Sequence, residues 1–188
     1  MRAQSCCFGF TAPPTDGLFF ALFPDSHAAE RLATLAAQQC IRHRLTGRPL
    51  AAARFHVSLL GFGVHARLPG ALVAAAKTAA AGVTSPPFEV TFDRAMSFMG
   101  RPRPRVVCSR STALIAFQRA VAQHGLGRVK PQYAPHVTLL YDEQAIEEHA
   151  VEPIHWTVRE FVLVHSRRGE GYVPLARWPL RAALSLAS

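Results

Sequence analysis

The hydrophobic positions of this chain alternate between strand spacing and helix spacing in an order that occurs twice. In the first half, an apolar run over residues 17–23 predicts a strand, and residues 24–43 follow with a Pro-Asp-Ser start and helical spacing. In the second half, residues 105–109 predict a strand, and residues 111–125 predict a helix capped by Ser111 and stopped by Gly125. A further strand follows each helix. The pattern therefore predicts one β-α-β plan used twice.

Further elements are predicted after each copy of the plan. They are an alanine-rich helix from Pro69-Gly70 to Gly82, a strand from Phe88 to Phe98, a short helix from Glu143 to His149 and a strand from Ile154 to His165. A loop over residues 99–104 separates the halves 17–99 and 104–180. Since a duplicated plan lets the halves face each other, we expect a cleft between them.

The strand that follows each helix carries the same short motif. The two copies, His56-Val57-Ser58-Leu59 and His136-Val137-Thr138-Leu139, lie eighty positions apart. Because residues i and i+2 of a strand share a face, each copy presents an imidazole and a hydroxyl on one side and two aliphatic side chains on the other. Two imidazoles with pKa values near neutrality can serve as a general acid and a general base. Phosphodiester hydrolysis needs such a pair.

The motif alone is weak evidence, because a chain of this composition contains His-x-Ser/Thr about once by chance. It occurs three times. The third copy, at residues 155–158, alternates apolar and polar residues like a half-buried strand with one wet face. The other two continue as Leu59-Leu60 and Leu139-Leu140, which predicts central strands buried on both faces. An imidazole there needs a partner or a function.

Together with other segments, the two motifs resemble the 2H phosphoesterase superfamily, and within it the bacterial branch of 2′-5′ RNA ligases and RNA 2′,3′-cyclic phosphodiesterases. The resemblance rests on the motifs and on residues 17–24, 133–136, 161–166 and 177–180. It implies an α+β fold of two pseudo-symmetric lobes, each a mainly antiparallel sheet with helices on its outer face and with the active-site cleft between them. It also implies activity without a metal ion or other cofactor, on RNA or a nucleotide with a cyclic phosphate end.

The chemistry assigns a role to each motif residue. Hydrolysis of a 2′,3′-cyclic phosphate to a 2′-phosphate needs a deprotonated water on one side of phosphorus and a protonated leaving oxygen on the other. We take His56 as the acid and His136 as the base, although reversible 2′-5′ ligation would exchange these roles. Ser58 and Thr138 would donate hydrogen bonds to the non-bridging oxygens, where charge shifts. Ser58 replaces the threonine of many family members and keeps the hydroxyl.

A second departure from the family pattern concerns positive charge. Many ligase-type relatives have a phosphate-binding arginine after the second motif, where this chain has Tyr141. Arg54, Arg103 and Arg105 are the candidates to replace it. This departure leaves a different substrate open, such as ADP-ribose 1″,2″-cyclic phosphate, and also a nucleotide-binding or RNA-binding module without turnover.

Aromatic residues near the motifs are candidate substrate contacts. Phe19 and Phe20 lie on opposite faces of the first strand, so one belongs to the core. The resemblance implies that an aromatic here can stack on the terminal base, and we take Phe20 as the candidate. Tyr133 and Tyr141 are further candidates, although packing is the simpler interpretation for both.

Composition favours an anionic partner for the chain. Its 188 residues carry a net charge of +9, almost all of it from arginine. RNA or a nucleotide fits that charge, and the alternative is an arginine-rich coding bias with a solvated basic surface. No serine-hydrolase elbow or glycine-rich phosphate loop occurs in the sequence.

The remaining predictions concern organisation and location. Residues 17–182 are expected to form one bilobal domain, after a poorly ordered extension over 1–16 and before a tail over 183–188. Four cysteines without a CxxC spacing favour reduced thiols in a cytoplasm: Cys6, Cys7, Cys40 and Cys108. No apolar run is long enough to span a membrane, and we expect a monomer without a metal site.

Overall fold

Three helices and eight strands make up the computed structural model, which describes residues 16–124, 133–167 and 170–181. In chain order the elements are β1 (Asp16–Leu22), α1 (Ser26–His43), β2 (Val57–His65), α2 (Gly70–Ala81), β3 (Phe88–Ser97), β4 (Arg103–Cys108), α3 (Thr112–Gln123), β5 (His136–Asp142), β6 (His149–Val158), β7 (Glu160–Arg167) and β8 (Gly171–Pro179). A short 3-10 turn, Ala52–Arg54, precedes β2.

The helices of the two β-α-β units begin where their capping residues predict. At α1 the Asp25 carboxylate accepts a hydrogen bond of 2.8 Å from the backbone N–H of Ala28, and at α3 the Ser111 hydroxyl oxygen accepts one of 3.3 Å from Leu114. The helix α1 ends at Arg44, whose left-handed φ of 52° lets its N–H bond back to the last turn. The predicted stop of α3 at Gly125 lies outside the described residues.

All eight strands belong to one antiparallel sheet in the order β6-β3-β4-β5-β2-β1-β7-β8. The two motif strands, β2 and β5, are therefore central, as predicted, and they lie side by side. They pair through a single residue pair, Val57 with Val137, whereas every other neighbouring pair of strands shares several. We call this junction the seam, because it joins a first strand set (β2, β1, β7, β8) to a second (β5, β4, β3, β6).

The duplicated plan is confirmed, because β1-α1-β2 and β4-α3-β5 occupy matching positions on the two sides of the seam. The boundary predicted at residues 99–104 is wrong as a division of the sheet. Strand β3 comes from the first half of the chain and lies in the second set, and β7 and β8 come from the second half and lie in the first set. The first β-α-β unit thus receives both of its outer strands from the other half of the chain, and the second receives one of its two.

The helices cover one face of the sheet. The main core joins that face to residues from all three helices, including Leu32 of α1, Ala76 of α2 and Leu114 of α3. On the opposite face lies a smaller cluster, in which Ala21, Val162 and Val164 pack with Phe19, Phe23 and Tyr172. The α+β class with a mainly antiparallel sheet and helices on its outer side is confirmed.

Two predicted elements are wrong. Residues 143–148 are not helical, because the backbone N–H and C=O of Ile146 bond instead to the Ser97 hydroxyl and the Ser97 N–H, which holds the segment extended beside β3. The single strand predicted over 154–165 is two strands with a break at Arg159. The reason is that β6 pairs with β3 in the second set while β7 pairs with β1 in the first.

The predicted extension and tail lie almost wholly outside the described residues, apart from Asp16, which begins β1. None of the described helices combines the length and the apolar character needed to cross a membrane.

Candidate active site

The seam brings the two motifs together on one face of the sheet. Val57 lies opposite Val137 at the seam. His56 and His136 directly precede these two valines, and Ser58 and Thr138 directly follow them. Because successive residues of an extended chain point to opposite faces, the two histidines and the two hydroxyls lie on the face opposite that of the valines. His56 and His136 are near enough to interact electrostatically. We call these four side chains the motif quartet.

The motif quartet faces away from the helices and is open to solvent. Val57, Leu59, Val137 and Leu139 are buried on the helix side, whereas Ser58 is exposed and the other three members of the quartet are half-buried. The prediction that these strands are buried on both faces is therefore wrong for this part of them. The helices within the described ranges cover one side of the sheet, and the quartet lies on the other side, where solvent reaches it.

Both rings are held in the same way by the backbone. The Nδ1 atom of His56 lies 2.9 Å from the carbonyl oxygen of Arg54, and Nδ1 of His136 lies 2.7 Å from that of Ala134. A carbonyl can only accept, so each Nδ1 carries the hydrogen and donates it. Each Nε2 is thereby the atom available for proton transfer, and in both motifs the bond comes from the residue two positions back.

Aromatic rings surround His56. The ring centres of Phe19 and Tyr172 both lie 5.1 Å from that of His56, Tyr172 edge-on, and Phe23 lies at 6.3 Å. We call these three residues the aromatic box. Burial lowers the pKa of His56, the nearby charges of His136 and Arg54 lower it further, and the bond to the Arg54 carbonyl opposes them. The ring is therefore neutral at pH 7, and the Ser58 hydroxyl, 3.1 Å from Nε2, donates to it.

The surroundings of His136 are different. Phe98, just after β3, packs edge-on against this ring with the two centres 4.8 Å apart. The two histidines thus share their backbone anchor but not their neighbours. The sequence analysis gave no role to Phe19, Phe98 or Tyr172. Only for Phe19 did the sequence hold a signal, because its position next to Phe20 on a strand places it on the opposite face.

Side chains supply the hydrogen bonds that the diverging strands of the seam lack. The Tyr133 hydroxyl donates to the Ser58 carbonyl oxygen at 2.9 Å, and Nε2 of Gln118 donates to that of Leu59 at 3.2 Å. Burial raises the pKa of the Tyr133 phenol, which keeps it a donor. Tyr133 was predicted as a substrate contact, and in this structure its hydroxyl ties one motif strand to the segment before the other.

Asp142 at the end of β5 holds a second connection across the seam. Its carboxylate accepts hydrogen bonds from the backbone N–H groups of Thr46 (2.8 Å), Gly47 (2.7 Å) and Gln144 (2.9 Å). The bonds from Gln144 and Gly47 are the main reason that the pKa of Asp142 is lowered. Any side chain at position 47 would collide with the Tyr141 carbonyl, since a Cβ atom there would lie 2.0 Å from its oxygen. Sequence reasoning missed this carboxylate.

Two of the predicted substrate contacts are wrong. Phe20 is only 2% exposed and packs against Phe62, Phe161 and Trp178 in the main core, so Phe19 is the aromatic residue of this pair on the open face. Arg105 is 1% exposed, and its guanidinium donates to Oε1 of Gln39 at 2.6 Å. It is occupied inside the protein and cannot reach a ligand on the open face.

The other predicted contacts lie at the surface. Arg103 donates from Nη1 to the carbonyl oxygen of Glu143 at 3.0 Å, at the far end of β4. Tyr141 is 47% exposed on β5. Arg54 is exposed and immediately precedes the Phe55-His56 pair, with its guanidinium carbon 4.9 Å from the centre of the Tyr172 ring. Of the three candidate arginines, Arg54 is the one that contacts the surroundings of a motif histidine.

The prediction for the third copy of the motif is confirmed. The third motif lies on the edge strand β6, with Trp156 buried and His155 exposed. Its context is therefore the half-buried strand that its alternation predicts. His165 is buried, and its Nε2 lies 2.8 Å from Oδ1 of Asp16, which makes it a structural histidine.

Neither thiols nor other ligands gather into a metal centre in the part of the chain that the structure describes. No three His, Cys, Asp or Glu side chains come together there. Cys40 and Cys108 are free, and burial raises the pKa of Cys108 to about 11. Cys6 and Cys7 lie outside the described residues.

In this α+β fold the two central strands of the sheet carry the two His-x-Ser/Thr motifs. This is the arrangement expected of a two-histidine phosphoesterase. The family model of the 2′-5′ RNA ligase superfamily matches residues 23–170, and the chain belongs to this superfamily. The resemblance found in the sequence is thereby confirmed. Among curated proteins, none gives a significant sequence match.

Solved structures show the same fold over nearly the whole chain. The apo form of E. coli LigT is 28% identical, with a TM-score of 0.72 over 90% of this chain and 100% of LigT. A protein described as a phosphoesterase is 27% identical, with a TM-score of 0.69 over 90% and 100% of the two chains. TT0787 of Thermus thermophilus, at 19% identity and a TM-score of 0.71 over 88% and 98%, shares the fold. LigT has also been solved with phosphate and with 3′-AMP.

Proposed function

We propose that this protein hydrolyses the 2′,3′-cyclic phosphate of RNA ends or nucleotides to a 2′-phosphate, without a metal ion, by acid–base catalysis with His56 and His136. The observation that carries the proposal is the motif quartet. His56 and His136 lie near each other on an open face, with both Nδ1 atoms held by backbone carbonyls. The binding of phosphate and 3′-AMP by the related LigT supports a nucleotide phosphate as the ligand.

Two imidazoles on one open face suit an in-line displacement at phosphorus. The base takes a proton from water as the water oxygen bonds to phosphorus, and the acid gives a proton to the ribose 3′ oxygen as its bond to phosphorus breaks. The product is a 2′-phosphate and a free 3′ hydroxyl. The same steps with an RNA 5′ hydroxyl in place of water would form a 2′-5′ phosphodiester and a free 3′ hydroxyl. Their reversal, in which the 3′ hydroxyl attacks phosphorus and the 5′ hydroxyl leaves, would cleave that bond, so the ligation would be reversible.

Ser58 and Thr138 complete the quartet as hydrogen-bond donors. Each lies two residues beyond a histidine, and the two hydroxyls belong to the strands on the two sides of the seam. Hydroxyls in these positions can donate to the two non-bridging oxygens of the phosphate. Donors fixed before the reaction stabilise charge as it shifts onto those oxygens.

The assignment of His56 as the acid needs one further step. An acid must carry a proton on Nε2, whereas the pKa of His56 is lowered in the free protein, mainly by burial. A bound phosphate anion beside the ring favours its charged form and raises that pKa again. His56 then takes up the proton when the substrate binds, and His136 removes the proton from water.

One panel of substrates tests the proposal. The wild type, His56→Ala and His136→Ala are assayed in EDTA with cyclic nucleotides, RNA carrying a cyclic end and ADP-ribose 1″,2″-cyclic phosphate. Turnover of a 2′,3′-cyclic phosphate that survives EDTA but neither substitution supports the proposal. Turnover of the ADP-ribose compound alone would move the substrate to another cyclic phosphate, and tight binding without product would make the protein a binding module.

A second assay separates the acid from the base. In a cyclic phosphate whose 3′ bridging oxygen is replaced by sulfur, the leaving thiolate needs no proton. His56→Ala should retain activity on this substrate if His56 is the acid, whereas His136→Ala should remain inactive. The opposite pattern would exchange the two roles. A monomeric state and a cytoplasmic location remain predictions.

A further inference from the structure

Arg54 is fixed next to His56 by the chain itself. The 3-10 turn Ala52–Arg54 leads directly into the first motif, and the Arg54 carbonyl oxygen accepts the hydrogen bond from Nδ1 of His56. The guanidinium carbon of Arg54 and the ring centre of His56 lie 4.9 and 5.1 Å from the centre of the same ring, that of Tyr172. The cation and the imidazole therefore flank one aromatic side chain on the open face of the sheet.

The guanidinium of Arg54 is not occupied by a carboxylate. It is exposed, and no ion pair involves it among residues 16–124, 133–167 and 170–181. Its guanidinium lies over the face of the Tyr172 ring. An exposed cation–π contact is weak, whereas paired hydrogen bonds from arginine to a phosphate are strong. A phosphate at the motif quartet would therefore draw the guanidinium off the ring.

Position 54 also distinguishes the two motifs. With the spacing of eighty residues, Arg54 corresponds to Ala134, whose carbonyl anchors His136 in the same way but whose side chain carries no charge. The other two candidate arginines are held elsewhere, Arg105 by Gln39 and Arg103 by the Glu143 carbonyl. Of the three candidate arginines, Arg54 therefore brings positive charge to the quartet, from the His56 side.

We propose that Arg54 is the residue that binds and neutralises the phosphate of the substrate, and that Tyr172 is the positioning residue that holds its guanidinium ready. Many ligase-type relatives have a phosphate-binding arginine after the second motif, where this chain has Tyr141. Arg54, which precedes the first motif, would supply that positive charge instead. The inference rests on the proposed function only in taking the motif quartet as the phosphate site.

The test measures the binding of inorganic phosphate by titration calorimetry at fixed ionic strength, with no turnover required. Arg54→Gln should weaken phosphate binding about tenfold, because a charge-assisted pair is lost. Arg119→Gln is the matched control, since it removes the same charge from the solvent side of α3 and should change binding less than about twofold. Equal weakening in both variants would make the effect one of net charge and overturn the proposal.

The role of Tyr172 is tested on the same readout. Tyr172→Leu should weaken phosphate binding about threefold, whereas Tyr172→Phe keeps the ring and should change the binding little. In a protein that already carries Arg54→Gln, Tyr172→Leu should have no further effect on phosphate binding. Additive losses in the double variant would overturn the positioning role. Unchanged binding in Arg54→Gln, or no phosphate binding by the wild type, would overturn the whole inference.

The same titration separates this inference from the proposed function. A protein that binds phosphate through Arg54 but turns over none of the cyclic substrates would contradict the proposed function alone. A protein that hydrolyses a 2′,3′-cyclic phosphate and binds phosphate equally well with Arg54→Gln would contradict this inference alone.

Discussion

The two motif strands hold their histidines alike and surround them differently. In both, a backbone carbonyl two residues back fixes the imidazole, and a hydroxyl follows two residues on. Around His56 there are an aromatic box and an arginine, whereas Phe98 is the aromatic ring against His136 within the described ranges. Among the described residues, the duplicated plan therefore repeats the anchored imidazole and the hydroxyl, whereas the aromatic box and the nearby arginine occur on the His56 side.

The likeness of the two histidines predicts the largest effect. His56→Ala and His136→Ala should each lower kcat/KM for a 2′,3′-cyclic nucleotide about 10²- to 10⁴-fold, because each removes one proton-transfer group. The double variant should be hardly worse than either single one, since the two groups act in the same step. His155→Ala, in the third copy of the motif, is the control and should keep full activity. Wild-type turnover in either single variant would contradict the equal roles that we assign to the two histidines.

The two faces of β1 give the next largest effect. Phe20→Ala should lower the free energy of unfolding by about 3–5 kcal/mol, because it leaves a cavity in the core. Phe19→Ala should cost less than about 1 kcal/mol and should instead weaken the binding of 3′-AMP. Urea denaturation and a binding titration on both variants check this pair. Equal losses of stability would show that the aromatic box is core rather than a recognition surface.

The two motif strands also differ at their ends. Asp142 of the second strand lies eighty positions after Phe62 of the first, so a carboxylate stands where the first strand has an aromatic ring. Asp142→Asn should lower the free energy of unfolding by about 2 kcal/mol at neutral pH, because it weakens three hydrogen bonds from backbone N–H groups.

The sign of the pH dependence follows from the lowered pKa of Asp142. A depressed carboxyl pKa adds stability above the unfolded-state pKa, and that stability is lost as pH falls through the folded-state value. The difference between wild type and Asp142→Asn should therefore shrink between about pH 7 and about pH 3. Urea titrations at the two pH values measure it, and a difference that is independent of pH would contradict the role given to the carboxylate.

The smallest effect concerns the electrostatics of His56. Its ring resonances in an NMR titration of the free protein should show a pKa below the ordinary histidine value, mainly because of burial. Arg54→Gln and His136→Ala should each raise that pKa, since each removes a neighbouring positive charge. An unshifted pKa, or one insensitive to both changes, would remove the electrostatic difference that we assign to the His56 side.

Local patterns predicted the parts of the fold that depend on local chemistry. Asp25 and Ser111 cap their helices, the repeated β-α-β plan is present, and both motifs lie on central strands. Capping and periodicity act within a few residues, so they can be seen in a single sequence. The sequence also singled out the four residues of the quartet, although it did not predict how β2 and β5 pair at the seam.

The predictions that failed depend on pairing between distant segments. Residues 143–149 have helical spacing, but hydrogen bonds to Ser97 keep Ile146 extended. Alternation placed Phe19 and Phe20 on opposite faces, yet only the position of the helices decides which face is the core. Tyr172 reaches His56 because β8 returns beside β7, which no spacing in the sequence indicates.

The central claim is that His56 and His136 act from opposite sides of one phosphorus atom, and a crystal structure with a nucleoside 2′,3′-cyclic vanadate tests it most directly. The vanadium takes the place of phosphorus with its attacking and leaving oxygens in line. We predict one Nε2 atom at hydrogen-bond distance, about 2.6–3.2 Å, from each of these two oxygens. A vanadate bound with either imidazole out of reach, or with both on the same side, would contradict the account.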